Sequence, residues 1–395
     1  LYYNESNGTN TPQYGGNISA IAWQNSNKPQ RSSNFSYDNL SLLTAATYSG
    51  DGKFSTAYSY DKHGNMLTLE RQGMRNAATH DMVDLLTMSY NGNQLINVTD
   101  DADNVLLNTS TDFKDYTGGN GLYTYNRNGA MTSDSHKGIL GIEYNLLNLT
   151  VSIEIDNGET IKGKTKSVYS ASGAKLRVIH ETDMNAQMAS IMGTAPFTTE
   201  YGDTTVTDYV GNKIYENGQL KRILIDGGYI EDGKYYFYLN DHLGNNRAVV
   251  EEEGNVVQQN EYYHFGMAFA DSENEEVQPY KYNGKELDKK HGLNLYDYHA
   301  RQMESAIGRF TSVDPLAEKY YSISPYVYCA NNPLVNIDLR GDSITHIGSA
   351  TDLQAVDAVH NRNLGGYYTV STNTTTGLTT MTPVAGTNPS TMTVE

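Results

Sequence analysis

Short runs of alternating apolar and polar residues, separated by turn-forming residues, recur along most of the chain. The stretch from Met66 to Leu69 reads Met-Leu-Thr-Leu, and alternation with a period of two residues is typical of a half-buried β-strand. Glycine and asparagine between such runs supply the positive-φ positions that tight hairpin turns require. The pattern therefore predicts an all-β chain built from antiparallel hairpins.

One unit recurs within this pattern: a tyrosine, then Asp or Asn, then a turn, then an alternating run. A single hairpin is marginally stable in water, so the copies must join into a continuous sheet. A large tyrosine ring can be buried in such a sheet while its hydroxyl stays hydrogen-bonded. The pattern alone leaves a generic β-solenoid or propeller open. Copies begin at Tyr37, Tyr60, Tyr90 and Tyr125, and weaker copies begin at Tyr144 and Tyr169.

Composition narrows the classes of function. Tyrosine makes up 32 of 395 residues while the whole hydrophobic set is 38%, so aromatic burial has to replace part of an aliphatic core. The formal net charge of −18 argues against a nucleic-acid surface, which needs lysine and arginine to displace counterions. A single cysteine, Cys329, excludes an internal disulfide.

Other chemistry is not indicated. No apolar stretch of about 18 residues predicts a membrane-spanning helix. The histidines lack the spacing of a zinc site, so we expect no metal and no cofactor. Leu1 is not an initiator methionine and no signal peptide is visible, so we expect a fragment of a longer protein.

A series of linked motifs after residue 235 is more specific. Their order and wording resemble the RHS repeat-associated core domain of bacterial RHS/YD-repeat proteins, and the upstream copies resemble YD repeats. The resemblance divides the chain into a repeat segment at 1–234, a core domain at 235–342 and a variable segment at 343–395. The motifs are Tyr238–Arg247, Tyr282–Asp288, Gly308–Pro315, Tyr326–Pro333 and Ile337–Gly341.

The resemblance implies a fold and a function. In that family, YD-repeat hairpins spiral into a hollow shell that the core domain caps, and many members cut their own chain to leave a C-terminal toxin enclosed. We therefore expect a secreted or cell-surface bacterial toxin shell that acts in interbacterial competition. Its expected partners are its own C-terminal toxin segment as cargo, an immunity protein and components of a secretion system.

The resemblance also implies a self-cleavage site. Two aspartates and an arginine form that site in self-cleaving members, and they correspond here to Asp314, Asp338 and Arg301, with the cut between Asp342 and Ser343. Two carboxylates held close share a proton, so one can activate water while the other protonates the leaving group. An arginine beside them can orient a carboxylate or polarise the scissile carbonyl.

The chain departs from the family pattern around that site. Ala317 replaces a glycine, Leu339 a proline and Asp342 a leucine, and Gln302 and Met303 replace tyrosines. Cleavage therefore stays open at this point. The alternative is that the two aspartates are turn residues that accept hydrogen bonds from their own backbone.

Two other functions compete with the shell. A cell-surface β-repeat protein without self-cleavage would expose its tyrosines in one shallow patch to bind carbohydrate or partner proteins. A glycosidase would need two carboxylates about 5–10 Å apart in an open cleft, and no motif favours it. We expect Cys329 and the core-region histidines, His242, His264 and His291, to serve packing or hydrogen bonding.

The composition changes after Gly341. Residues 352–359 favour a short helix, and Thr374–Gly377 favours a turn between two strands. About 53 residues are few for an enzyme with its own core, and no catalytic constellation is legible there. The toxin activity of this segment cannot be named from its sequence.

Overall fold

The computed structural model describes residues 1–24, 29–76, 78–102, 112–158, 161–183 and 201–347, with the strands at 368–372 and 379–383. Within these ranges the regular elements are β-strands and short 3₁₀ turns, without an α-helix. The prediction of an all-β chain of antiparallel hairpins is confirmed. The described ranges also contain no helix long and apolar enough to cross a membrane.

The first sheet has seven strands, each hydrogen-bonded antiparallel to the next in chain order. This sequential order follows from the short connections between neighbouring strands, because a crossover connection needs about a dozen residues or more. The strands are β1 (Ala20–Trp23), β2 (Arg31–Tyr37), β3 (Leu43–Ser49), β4 (Thr56–Tyr60), β5 (Met66–Asn76), β6 (Thr79–Asn91) and β7 (Gln94–Asp100).

The second sheet has thirteen strands in the same sequential order. It continues without a break across residue 235, where the resemblance places a domain boundary. The strands are β8 (Tyr123–Tyr125), β9 (Met131–Asp134), β10 (Ile139–Tyr144), β11 (Thr150–Asp156), β12 (Lys162–Tyr169), β13 (Lys175–Asp183), β14 (Tyr201–Val210), β15 (Lys213–Glu216), β16 (Gln219–Ile225), β17 (Gly228–Glu231), β18 (Lys234–Asn240), β19 (Asn246–Glu251) and β20 (Val256–Gln259).

Shorter elements follow: a four-stranded sheet and two separate hairpins. The strands are β21 (Glu286–Asp288), β22 (Leu295–Asp297), β23 (Gln302–Glu304), β24 (Arg309–Phe310), β25 (Asn336–Asp338), β26 (Ile344–His346), β27 (Tyr368–Thr372) and β28 (Thr379–Pro383). The 3₁₀ turns are Tyr282–Gly284, Lys290–Gly292, Ala317–Lys319 and Cys329–Asn331.

Two predictions for the C-terminal segment concern residues outside this description. The helix expected at 352–359 lies wholly outside the described residues, as does the turn expected at Thr374–Gly377. The strands on either side of that turn, β27 and β28, do pair antiparallel.

In most repeats the acidic or amide residue after the tyrosine forms the turn that follows. The Asp61 carboxylate accepts the backbone N–H groups of His63 and Asn65, each at 2.8 Å. One side chain thereby satisfies two donors that the turn would otherwise leave unpaired, which is why Asp and Asn occupy this position. The same contacts occur at Asp38, Asn126, Asn145 and Asp241.

Hydroxyls of the repeat tyrosines form a ladder of hydrogen bonds within the two large sheets, which together are called the wall below. The Tyr60 hydroxyl donates to the Leu43 carbonyl of the preceding repeat at 2.7 Å, and burial raises its pKa well above the usual value. Each such bond ties a hairpin to the one before it without leaving a buried hydroxyl unpaired. The equivalent pairs are Tyr37 with Ile18, Tyr90 with Met66, Tyr144 with Met131, and Tyr169 with Thr150.

The segment after β20 packs against the buried faces of both large sheets, and together they form one apolar core. Phe269 stacks on Phe54 of the first sheet with 4.1 Å between ring centroids. The Tyr326 hydroxyl donates to the carbonyl of Gly129, in the turn before β9, at 2.7 Å. The segment from residue 261 to 347 is therefore held in place by its packing against the repeats.

A buried ion pair of the first sheet lies at the same interface. Arg71 on β5 donates through Nη1 to the Asp84 carboxylate on β6 at 2.6 Å and through Nη2 to the Ala306 carbonyl at 2.6 Å. Asp84 also accepts the Phe113 N–H at 2.6 Å. Burial raises the pKa of Asp84 to about 6, although Arg71 acts in the opposite direction. Through the bond to Ala306, this pair links the β5–β6 hairpin of the first sheet to the segment after β20.

Candidate active site

Arg301 brings the two predicted aspartates together. Its Nη2 donates to Asp314 Oδ2 at 2.9 Å and to Asp338 Oδ2 at 3.1 Å. All three side chains are buried. The two carboxylates therefore meet at a single guanidinium nitrogen, although the three residues are spread over 37 positions of the chain.

Short strands place each of these residues. Arg301 directly precedes β23, Asp314 follows β24, and Asp338 is the last residue of β25. The Phe310 ring lies under the guanidinium, with Arg301 Cζ 3.6 Å from the ring centroid. This cation–π contact, together with the donation from Arg301 Nη1 to the Pro325 carbonyl at 3.1 Å, fixes the plane of the guanidinium.

The second oxygen of Asp338 binds the backbone of the turn that follows it. Oδ1 accepts the N–H groups of Arg340 at 3.2 Å, Gly341 at 2.6 Å, Asp342 at 3.1 Å and Ser343 at 3.3 Å. The amide nitrogen of Ser343 belongs to the peptide bond at which cleavage is expected. Asp338 is thus in contact with the leaving nitrogen of that bond.

The two carboxylate oxygens of Asp314, like those of Asp338, have different partners. Asp314 Oδ1 accepts the Leu316 N–H at 2.7 Å while its Oδ2 faces Arg301. The turn interpretation and the site interpretation therefore describe the same residues, because each aspartate gives one oxygen to its own turn and the other to the guanidinium. Neither pattern excludes the other.

The charges at the site differ from a bare carboxylate pair that shares a proton. Burial raises the pKa of Asp338, while Arg301 and the turn amides oppose that change. Burial also lowers the pKa of Arg301, opposed by Asp314 and Asp338. Arg301 donates to both carboxylates and opposes the rise in the pKa of Asp338, so the site is an arginine-bridged pair.

The turn from Leu339 to Ser343 joins β25 to β26 and is held from several sides. Arg301 Nε donates to the Gly341 carbonyl, and the Tyr320 hydroxyl accepts the Ile344 N–H at 3.3 Å. Gly341 has φ +74°, and a Cβ there would lie 2.8 Å from the Tyr298 carbonyl oxygen. Only glycine fits that position without strain, so the turn has one well-defined path.

The departures from the family pattern are accommodated. Ala317 donates its N–H to the Asp314 carbonyl at 3.0 Å, so the turn after Asp314 forms without glycine. Leu339 is 45% exposed and needs no packing partner. Asp342 is partly buried, and its carboxylate accepts the Ser343 hydroxyl at 3.0 Å. The substitutions leave Arg301 in contact with both aspartates.

The other residues singled out from the sequence, one cysteine and three histidines, lie in packing or hydrogen-bonding contacts. Cys329 is buried, and burial raises the pKa of its thiol well above the usual value, which keeps it a neutral thiol. His264 packs edge-on against Phe35 with 4.9 Å between centroids, and His242 Nε2 contacts the Leu334 carbonyl at 3.0 Å. His291 contacts the Thr182 hydroxyl at 3.0 Å. Across the described ranges, no group of three His, Cys, Asp or Glu side chains could hold a metal ion.

Sequence reasoning missed three contributors to the site. Phe310 under the guanidinium, Tyr320 against the turn and the amide cluster around Asp338 Oδ1 were not singled out. The glycine at 341, three residues after an aspartate, was a signal for the last of these, because such a turn exposes successive N–H groups. The first two depend on tertiary packing and had no sequence signal.

Comparisons with known proteins give short or distant matches. No family model matches the chain. A stretch of 116 residues is 39% identical to salivary gland surface protein 1 of Aedes aegypti, covering 29% of this chain and 3% of that protein. A stretch of 188 residues is 29% identical to the tRNA3(Ser)-specific nuclease WapA of Bacillus spizizenii, covering 46% of this chain and 7% of the nuclease. This chain therefore spans a small part of either relative.

Among solved structures, the crystal structure of TcdB2-TccC3-Cdc42 superposes with a TM-score of 0.50 at 14% identity. The match covers 82% of this chain and 17% of that one. At this identity the likeness shows the fold alone. The chain has the antiparallel β-architecture of that toxin complex.

Proposed function

We propose that this chain is part of an encapsulating β-shell of a bacterial RHS-type toxin and that it cuts itself after Asp342. The fold likeness to a toxin complex and the stretch similar to a nuclease support the shell. The contact between Asp338 Oδ1 and the Ser343 amide carries the self-cleavage part of the proposal.

The direction of the tyrosines favours a shell over a carbohydrate-binding surface. The repeat hydroxyls point into the wall and bind backbone carbonyls of the preceding repeat. The most exposed tyrosines, Tyr14 at 81% and Tyr321 at 85%, do not belong to the ladder. Tyrosines used as wall supports are not available as a sugar-binding platform.

The site suggests a role for each side chain. Asp338, whose Oδ1 accepts the N–H of the leaving nitrogen, donates the proton that the amine needs when the bond breaks, and burial raises its pKa. Asp314, on the other side of Arg301, acts as the base toward the water that completes the hydrolysis. Arg301 holds both carboxylates and the Gly341 carbonyl, which fixes the bond relative to the acid.

The products of this reaction define the expected partners. Cleavage separates residues 1–342 from the segment that starts at Ser343, and we propose that this segment is cargo held by the shell. An immunity protein and secretion components would act on the cargo and on the whole toxin. We propose a secreted or cell-surface setting, as expected for an RHS-type toxin.

Intact-mass spectrometry of the purified chain tests the cleavage. We expect wild type to give a fragment ending at Asp342, and Asp314→Asn and Asp338→Asn each to give only the uncut 43.7 kDa chain. Asp208→Asn is the matched control, because Asp208 pairs with the exposed Arg177 far from the site. An uncut wild type, or cleavage that persists in both site variants, would refute the self-cleavage proposal.

A further inference from the structure

A hydroxyl lies beside the bond that the proposed self-cleavage breaks. Ser343 supplies the nitrogen of that bond, and its Oγ donates to Asp342 Oδ1 at 3.0 Å. Asp338 Oδ1 contacts the nitrogen of the same peptide unit at 3.3 Å. A nucleophile with an adjacent base and an acid facing the leaving group are therefore assembled within one turn.

We infer that Ser343 is the nucleophile of the cleavage, which proceeds through an ester intermediate. This inference rests on the proposed self-cleavage after Asp342. Oγ of Ser343 attacks the carbonyl carbon of Asp342, and the hydroxyl proton passes to the Asp342 carboxylate. The C–N bond then breaks, the nitrogen takes a proton from Asp338, and an Asp342–Ser343 ester with a free amine remains.

Water completes the reaction. It adds to the ester carbonyl carbon and the C–O bond breaks. Of the two protons of water and the one held by the Asp342 side chain, one goes to Ser343 Oγ, one returns to Asp338, and one leaves to solvent as the new α-carboxyl group ionises. The products are a carboxylate at Asp342 and a chain that begins with Ser343, as in direct hydrolysis. The bond to the nitrogen is broken before water enters, which separates this route from a direct attack by water.

The structure favours the intramolecular attack for two reasons. A serine hydroxyl is a weak nucleophile until a neighbouring base accepts its proton, and the Asp342 carboxylate is in hydrogen-bond contact with it. A group fixed beside its target also reacts at a high effective concentration. The Arg301 and Gly341 contacts hold this turn in one path. The leucine usual in the family cannot accept the hydroxyl proton, so Asp342 gives this chain a base of its own.

Variants at Ser343 separate the two routes. We expect Ser343→Ala to slow cleavage on the order of 100-fold or more, Ser343→Thr to retain it, and Ser343→Cys to retain it through a thioester. Asp342→Asn keeps the bond but removes the base, so its rate should fall about 100-fold. Thr345→Val, on β26, is the matched control, because it removes a hydroxyl that lies outside the turn.

Hydroxylamine provides a readout that a structural role of Ser343 would not move. Added to the intact purified chain, it should trap the ester as a hydroxamic acid on Asp342, seen by mass spectrometry of the fragment, and should speed the release from Ser343→Cys. If wild type cuts itself while Ser343→Ala cuts equally fast and no hydroxamic acid forms, the serine route is refuted and water attacks directly. If wild type does not cut at all, the proposed self-cleavage itself has failed.

Discussion

Replacing Arg71 with methionine should destabilise the protein strongly, because it leaves a buried carboxylate without its partner. The side chains of Arg71 and Asp84 are 2% and 0% exposed. Methionine keeps most of the volume of the arginine stem but removes the charge and the bond to the Ala306 carbonyl. The effect therefore measures the ion pair and the link between the wall and the packed segment.

The distance sets the magnitude. Arg71 Nη1 lies 2.6 Å from Asp84 Oδ2, and Coulomb's law with an effective dielectric constant of about 20 gives an attraction of about 6 kcal/mol. Part of this is offset by the desolvation of both groups on folding. Removing one partner of a buried pair costs about 3–5 kcal/mol, and we expect a loss of that size in the free energy of unfolding.

Urea unfolding followed by far-ultraviolet circular dichroism measures the loss, in an Asp338→Asn background that keeps the chain intact. The double variant with Asp84→Leu should recover much of the stability, since it leaves no unpaired charge. Arg177→Met is the control, because its partner Asp208 lies on an exposed pair. A small loss for Arg71→Met, or a double variant as unstable as the single one, would refute the reasoning.

The same pair predicts a dependence on pH. Arg71 lowers the pKa of Asp84, which stands at about 6, so the arginine's removal raises that pKa further. A carboxyl whose folded pKa exceeds its unfolded value binds more protons in the folded state, and stability then rises as pH falls. The loss in free energy of unfolding caused by Arg71→Met should therefore be smaller at pH 5 than at pH 8. An equal loss at both pH values would contradict this explanation.

Three further changes have expected outcomes that thermal unfolding can check. Tyr60→Phe removes one rung of the tyrosine ladder and should cost about 1 kcal/mol, whereas Tyr321→Phe at an exposed site should cost nothing measurable. Ala330→Gly should stabilise the protein by about 1 kcal/mol, because Ala330 has φ +51°; a lower melting temperature would contradict it. His264→Phe should remove a loss of about 3 kcal/mol between pH 6.5 and pH 4, since burial lowers the His264 pKa to about 4 and stability is lost as pH falls toward that value. If His264→Phe loses as much stability as wild type between pH 6.5 and pH 4, the histidine prediction is wrong.

The strands and turns could be predicted from local sequence. The run from Met66 to Leu69 alternates as a half-buried strand should. The Asp61 carboxylate accepts the N–H groups of His63 and Asn65 and so closes the turn before that strand. These interactions join residues within four positions of each other, so the sequence pattern contains nearly all the information that they need. The hairpin at β18 and β19 was predictable for the same reason.

The candidate site shows where local reasoning stops. Resemblance named Arg301, Asp314 and Asp338, and the structure places them in contact. Residue types alone predicted two carboxylates sharing a proton, yet the guanidinium lies between them. Its position depends on the Phe310 ring and the Pro325 carbonyl, which no spacing along the chain reveals.

The sequence by itself determined the class of fold, the hairpin turns and the residue types available for chemistry, because each follows from interactions between near neighbours in the chain. Tertiary structure alone decided that the tyrosine hydroxyls bind the preceding repeat, that Arg71 meets Asp84 and Ala306, and that Arg301 meets both Asp314 and Asp338. These contacts are set by how two sheets and the segment after β20 exclude water from a shared core. That packing is a property of the whole chain, so no local pattern can encode it.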